Sequence, residues 1–269
     1  MLVVLFFLPT FVILNNSNCY MPNESIYGLI GYPLTHSFSQ QYFNRKFDAE
    51  GIAARYENFE IPEIGDFTEI IKRHPTLRGL NVTIPYKEQV IPYLDELDPD
   101  TAEIGAVNVI KFIRKGNKLR LKGYNSDVIG FADSLSPLLT PDMKHALVLG
   151  TGGAAKAVMQ ALKKLGISAT LVSRTPAEGR YTYDDLTAEI MADNLLIVNT
   201  TPLGMYPHMD ECPAIPYQHL TPSHLCYDLL YNPDVTLFMR KAAEQGAATK
   251  NGLEMLLLQA FAAWNIWQQ

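Results

Sequence analysis

Cysteine is scarce: only Cys19, Cys212 and Cys226 occur in 269 residues. An odd, scattered set excludes a disulfide framework and a zinc knuckle. It fits a reducing compartment, so a cytoplasmic location and no structural metal are expected. The six histidines (His36, His74, His145, His208, His219, His224) form no metal-spaced set either. A cationic excess is also missing. Twenty-two Lys+Arg stand against 28 Asp+Glu, a formal net charge of −6, whereas a nucleic-acid binder usually shows a basic face. No apolar run reaches the roughly 20 residues of a membrane helix. The stretch 2–14 is broken by Pro9-Thr10, so no membrane association is expected. Residues 1–20 lack Lys, Arg, Asp and Glu, and with them the cationic start of a signal peptide. Ser17 and Cys19 keep a signal-like reading open. The favoured expectation is an over-long start, with the working chain opening at Met21.

What is present is apolar: 48% hydrophobic and 19% charged residues. That balance excludes a disordered chain, and the length supports one or two domains. Short apolar runs alternate with amphipathic stretches. Strands are expected at 26–31, 55–59, 79–83 and 107–113, with a turn at Gly116-Asn117 leading into 118–124. In the second half, runs at 146–150, 169–173, 195–200 and 225–229 are continuous rather than alternating, as buried parallel strands are. Helical patterns fill 153–165, 184–192, 234–245 and 252–268. Such alternation implies an α/β architecture.

Ala146-Leu147-Val148-Leu149 runs into Gly150-Thr151-Gly152-Gly153-Ala154-Ala155 and then a helix pattern. Small residues at such a turn let the backbone approach a pyrophosphate, and the helix N-terminus offers free N–H groups. A tight strand–helix turn also favours glycine, so the context carries the nucleotide reading. The next strand ends in Ser173-Arg174-Thr175. An NAD site usually places a carboxylate there. A guanidinium flanked by hydroxyls suits a 2′-phosphate instead, so NADP is favoured over NAD; a solvated strand-end arginine is the bland alternative.

Four polar clusters mark the first half. Ser37 and Ser39 could hold a small carboxylate without adding charge, or cap the helix over 40–50. Thr83 and Lys87 flank Pro85 at a strand end. A catalytic lysine needs partial burial and a carboxylate partner; otherwise Lys87 is an ordinary exposed cation. Asn108 suits a polyol hydroxyl, or equally a buried turn. Asp127 is either a helix cap or the carboxylate partner of Lys87.

Together these pieces resemble the shikimate dehydrogenase family, from about Ser25 to the C-terminus. The matching motifs are Ser37 and Ser39, Asn-Val-Thr-Ile-Pro-Tyr-Lys at 81–87, Gly-Ala-Val-Asn at 105–108 and Asn-Ser-Asp at 125–127. Gly-Thr-Gly-Gly-Ala-Ala at 150–155, Ser-Arg-Thr at 173–175 and Asn-Thr-Thr-Pro-Leu-Gly-Met at 199–205 follow. Tyr-Asp-Leu-Leu-Tyr-Asn-Pro at 227–233 and Asn-Gly-Leu-Glu-Met-Leu-Leu-Leu-Gln at 251–259 complete the series.

The resemblance implies an N-terminal α/β substrate domain over 21–124, completed by a returning last helix at 252–269, and a Rossmann-type NADP-binding domain over 125–251. It implies NADPH-dependent, reversible reduction of 3-dehydroshikimate to shikimate by a monomer or homodimer. Ser37 and Ser39, helped by Tyr231, would hold the substrate carboxylate, and Thr83, Asn108, Asp127 and Gln259 would bind ring hydroxyls. Lys87 would be the acid/base residue, with Asp127 beside it. Gly150, Thr151, Gly152, Gly153 and Ala154, with Ser173, Arg174 and Thr175, would hold the cofactor, while Leu229, Gly252 and Met255 would lie at its nicotinamide end. The sequence departs from the family where Gln40 follows Ser39, where Ser126 replaces threonine, and where Ser173 and Glu178 stand in the 2′-phosphate loop. The rival expectations are a quinate/shikimate dehydrogenase using NAD and a catalytically silent NADP-binding regulator.

Overall fold

The computed structural model describes residues 24–34, 38–116 and 118–269. The start extension expected over residues 1–20 and Ser37 lie outside the described residues. The chain first lays down β1 (Ser25–Gly31), α1 (Phe38–Glu50), β2 (Ala54–Glu60), α2 (Phe67–Arg73) and β3 (Leu77–Val82). Then follow α3 (Tyr86–Gln89), β4 (Glu96–Leu97), α4 (Pro99–Ile104), β5 (Val109–Lys115) and β6 (Lys118–Tyr124). These six strands form one sheet in the order β2-β1-β3-β5-β6-β4. Its β1 runs parallel to β2 and β3, whereas β5 is antiparallel to β3 and β6.

A second sheet is built from α5 (Asp127–Leu135), β7 (His145–Leu149), α6 (Gly153–Lys164), β8 (Ser168–Ser173), β9 (Arg180–Thr182) and α7 (Ala188–Asp193), followed by β10 (Leu196–Asn199), β11 (Leu225–Asp228), α8 (Leu237–Glu244) and β12 (Ala248–Lys250). All neighbours are parallel, in the order β12-β11-β10-β7-β8-β9. This is the doubly wound dinucleotide-binding order, which reverses direction between β7 and β10. Ligands of such sheets sit beyond the carboxyl ends of the strands at that reversal. The central strands explain the continuous apolar runs: Leu147, Val148, Ile197 and Val198 are fully buried, so both faces must be apolar.

The last helix, α9 (Leu253–Gln268), serves both halves. Its first turn puts Met255 into the core with Phe131, Val148 and Tyr227. Its later turns put Ala260, Ala263, Ile266 and Trp267 among Tyr27, Phe43, Phe47 and Tyr56 of the first sheet. Trp267 Nε1 donates to the Ile110 carbonyl at 3.1 Å. The crossing of α5 and α9 depends on Gly130: a Cβ there would lie 2.7 Å from the Met255 carbonyl oxygen and 2.8 Å from Gln259 N.

Local chemistry shifts several expected boundaries. The helix expected over 184–192 is a 3₁₀ turn at Tyr183–Asp185 followed by α7. Leu186 breaks the run with ψ 83°, and Thr187 restarts it by accepting from Ile190 N at 3.3 Å. The helix expected over 234–245 starts at Leu237 because the Thr236 hydroxyl caps Met239 N at 3.3 Å. The strand expected over 107–113 begins at Val109. The short strands β4, β9 and β12 were too brief for any periodicity to announce.

Candidate active site

The first sheet presents Lys87 through a turn that starts where β3 ends. Thr83 N donates to the Ile30 carbonyl and Tyr86 N to the Thr83 carbonyl, each at 2.9 Å. The chain therefore bends at once into α3, which carries Lys87. Its Nζ donates to Asp127 Oδ2 at 2.6 Å, with the two side chains 19% and 11% exposed. Partial burial and a carboxylate partner are what a catalytic lysine requires.

Asp127 is the first residue of α5 but caps nothing. Ser126 holds the cap position in helical geometry, with no side-chain cap bond. The free carboxylate faces the site and is gripped from its other side by Asn108 Nδ2, which donates to Oδ1 at 2.8 Å. Asn108 is buried, and its carboxamide also donates to Ser126 Oγ at 3.0 Å and accepts from Ser126 N at 2.7 Å. Both Nδ2 hydrogens thus have protein partners. Asn108 therefore both holds the turn before α5 and aims Asp127. Asn125 helps from below: its Oδ1 accepts from Asp127 N at 3.1 Å and its Nδ2 donates to the Ala106 carbonyl at 2.8 Å.

Gln259 joins this cluster from α9. Ser126 Oγ donates to Gln259 Oε1 at 3.4 Å, and Gln259 Nε2 donates to the Leu256 carbonyl at 3.0 Å. Sequence reasoning named Ser126 only as a departure from the family's threonine and gave it no role. Ser39 lies in the first turn of α1, close to the Tyr56 side chain. Thr83 is half-buried at the end of β3.

The cofactor side begins at Gly150, whose φ of 113° is open to glycine. A Cβ there would also meet Thr200 Oγ1 at 2.7 Å. That hydroxyl donates to the Leu149 carbonyl at 2.7 Å, pinning the ends of β7 and β10 together at the reversal point. Thr151 and Gly152 complete the turn, and Gly153 and Ala154 open α6. Gly152 stands at the cap position without a side-chain cap bond, so the first N–H groups and the positive helix end are offered to a phosphate. A Cβ on Gly153 would lie 3.8 Å from Lys87 Cδ. Lys156 Nζ donates to Glu88 Oε1 at 2.7 Å alongside. The glycine turn and the lysine–aspartate pair are therefore neighbours.

Ser173 ends β8, and its hydroxyl donates to the Thr175 carbonyl at 2.5 Å. Arg174 and Thr175 are exposed at the same strand end. Burial raises the Tyr183 phenol above its ordinary pKa, and the charge of Arg174 nearby opposes that rise. At the end of β11, Leu229 N donates to the Asn199 carbonyl at 3.0 Å. Gly252 N donates to the Leu230 carbonyl at 2.9 Å, and a Cβ on Gly252 would stand 2.0 Å from the Leu229 carbonyl oxygen. Leu229, Gly252 and Met255 are thus drawn to one place. Tyr231 lies 41% exposed beyond β11, and burial of part of its ring raises the phenol pKa. Asp228 was quoted in a motif without a role. It is fully buried and accepts from Asn199 Nδ2 at 3.1 Å, Leu230 N at 3.0 Å and Thr236 Oγ1 at 2.6 Å. Its pKa is raised by burial, against the pull of those three donors.

Among the described residues, no helix is long and apolar enough to cross a membrane, and no group of three His, Cys, Asp or Glu is placed to hold a metal ion. A doubly wound parallel sheet with a phosphate-type turn at its reversal point, set against a half-buried lysine–aspartate pair, defines a dinucleotide-dependent oxidoreductase. Comparison with known proteins narrows the class. Residues 29–110 match the family model described as the shikimate dehydrogenase substrate binding domain. A Carboxydothermus hydrogenoformans protein named shikimate dehydrogenase (NADP(+)) is 39% identical over 256 residues, covering 89% of this chain and 90% of its own. The crystal structure of shikimate dehydrogenase from Aquifex aeolicus is similar with TM-score 0.80 and 36% identity, covering 91% of this chain and 92% of that one. That of shikimate 5-dehydrogenase from Thermus thermophilus, in complex with NADP(H) and shikimate, has TM-score 0.79 and 30% identity, covering 90% and 93%. The chain belongs to the shikimate dehydrogenase family.

Proposed function

We propose that this chain catalyses the reversible, NADPH-dependent reduction of 3-dehydroshikimate to shikimate. The carrying observation is the 2.6 Å Lys87–Asp127 pair held against Gly153 of the glycine turn. The turn fits the cofactor: Gly150 through Ala154 would take the pyrophosphate, and Arg174 with Ser173 and Thr175 the 2′-phosphate. Leu229, Gly252 and Met255 would line its nicotinamide end. When bound, the cofactor supplies or accepts the hydride.

The chain's own residues manage the proton and the charge. Reduction of a ring ketone builds negative charge on its oxygen. Lys87 Nζ, a cationic donor, stabilises that charge and delivers a proton to it. In the reverse direction the same nitrogen receives the proton of the ring hydroxyl. Asp127, its Oδ2 2.6 Å from Lys87 Nζ, fixes the direction of that donor. Asn108 holds Asp127 Oδ1, so the carboxylate keeps Oδ2 towards the lysine. On this reading Ser37, Ser39 and Tyr231 anchor the substrate carboxylate, and Thr83, Asn108, Asp127 and Gln259 face its ring hydroxyls. Residues 21–124 with 252–269 form the substrate part and 125–251 the NADP part. The setting is cytoplasmic, supported by the buried, unpaired Cys226, and the working form is a monomer or homodimer.

The test is a spectrophotometric assay of shikimate-dependent NADP⁺ reduction, run beside quinate and NAD⁺. Turnover with shikimate and NADP⁺ is expected, with the other combinations weaker. A folded protein that binds NADPH yet turns nothing over would be a silent nucleotide-binding regulator instead.

A further inference from the structure

We propose that Tyr56 is a positioning residue of the substrate site, whose buried hydroxyl fixes Asn81 of β3 beside the start of α1. The proposal rests on the substrate reading above. Tyr56 is 1% exposed in the middle of β2. Its backbone is clamped by one side chain of α1: Tyr56 N donates to Asn44 Oδ1 at 2.8 Å, and Asn44 Nδ2 donates to the Tyr56 carbonyl at 3.0 Å. Its ring stacks on Phe43, with centroids 4.9 Å apart and planes 10° from parallel. Backbone and ring are thus fixed, and only the hydroxyl remains to choose partners.

That hydroxyl donates to Asn81 Oδ1 at 2.8 Å and lies close to the Ser39 side chain. The polarity at Asn81 follows from chemistry. Asn81 Nδ2 faces the Asn108 carbonyl at 3.3 Å, and a carbonyl only accepts. Asn81 must therefore turn its oxygen to Tyr56, and Tyr56 must be the donor. Asn108, whose main-chain carbonyl Asn81 holds, donates through its side chain to Asp127, and Asp127 holds Lys87. One buried phenol thus braces the backbone of the residue that aims the acid/base pair.

The ring of Tyr56 packs among aromatic neighbours, Phe43, Phe47 and Trp267, a volume phenylalanine would fill equally well. What the oxygen adds is the donor that buried Asn81 Oδ1 needs. Without it, Asn81 keeps only its bond to the Asn108 carbonyl and loses the partner that sets its orientation beside the substrate site.

The experiment compares Tyr56→Phe with Phe47→Leu, which loosens the same aromatic cluster and leaves the Tyr56–Phe43 stack and the hydroxyl bonds in place. Both variants should lower Tm. Tyr56→Phe should raise the KM for shikimate by about three- to tenfold, the range of one net hydrogen bond. Its kcat and its KM for NADP⁺ should stay near wild type, and Phe47→Leu should keep the wild-type shikimate KM. An unchanged shikimate KM in Tyr56→Phe would overturn the inference, as would an equal rise in Phe47→Leu. Calorimetry with shikimate separates the two layers of the argument. A wild type that neither binds nor turns over shikimate removes the substrate reading and the inference with it. A working wild type beside an unaffected Tyr56→Phe removes the inference alone.

Discussion

Lys87 and Asp127 are 40 positions apart in the chain and 2.6 Å apart in space. A lysine behind a strand end is commonly an exposed cation and an aspartate before a helix commonly a cap, so the chemistry of each was legible only through the motifs at 81–87 and 125–127 that carry them. Replacing Lys87 by Ala should lower kcat by about 10²–10⁴-fold, the usual range for a general acid/base, with a milder effect on KM. Steady-state kinetics showing near-normal turnover would remove Lys87 from that role. Arg174→Ala should raise the KM for NADPH and leave that for NADH nearly unchanged; an equal effect on both would argue against a 2′-phosphate clamp. Asp228 gives a pH prediction. Burial raises its pKa above the ordinary carboxylate value, so between the unfolded and folded values the native state holds more protons than the unfolded one. This group therefore favours the fold in acid, and that contribution declines as pH rises through the raised value. Urea unfolding of wild type and Asp228→Asn, followed from about pH 4 to 8, should show the wild type's advantage shrinking with rising pH. A widening gap would refute the assignment. Ser126, Asn199 and Asp228 lie inside the motifs, but their roles, like that of Tyr56, stayed unread: Ser126 meets Gln259, Asn199 meets Asp228 and Tyr56 meets Asn81 across distant stretches of chain, and no local pattern encodes a hydrogen bond between distant elements.

At the scale of elements, the long strands of both sheets were readable from apolar runs, and α6 and α9 from helical spacing. What escaped was set by pairing or by single caps. β9 and β12 are three residues each and exist because a neighbouring strand accepts them. The limits of α7 and α8 are fixed by Thr187 and Thr236. The contact of α5 with α9 was equally invisible, since Gly130 reads as a weak helix residue until its neighbour is known. Gly130→Ala should force the Met255 backbone away and cost about 1–3 kcal/mol, as overpacking does. For a chain of this size that corresponds to about 2–4 °C in Tm per kcal/mol. A variant with wild-type Tm would show that the two helices do not press together at this point.

For the whole molecule, α9 is the shared member: Met255 belongs to one core and Trp267 to the other. The two halves are therefore expected to lose structure together. Both tryptophans of the sequence, Trp264 and Trp267, pack with Tyr27 on the first sheet, so their emission follows that half, while far-ultraviolet circular dichroism follows both. The two denaturation curves should coincide, as a two-state transition requires; separated midpoints would mean that the halves unfold independently. The same helix has a spectroscopic consequence. It starts beside Gly252, at the proposed nicotinamide end, and reaches Trp264 after 12 residues, about 18 Å at 1.5 Å per residue. That span suits resonance energy transfer from indole to a reduced nicotinamide ring, so the enzyme would carry its own optical donor, and cofactor occupancy would be read from quenched indole emission without any added dye.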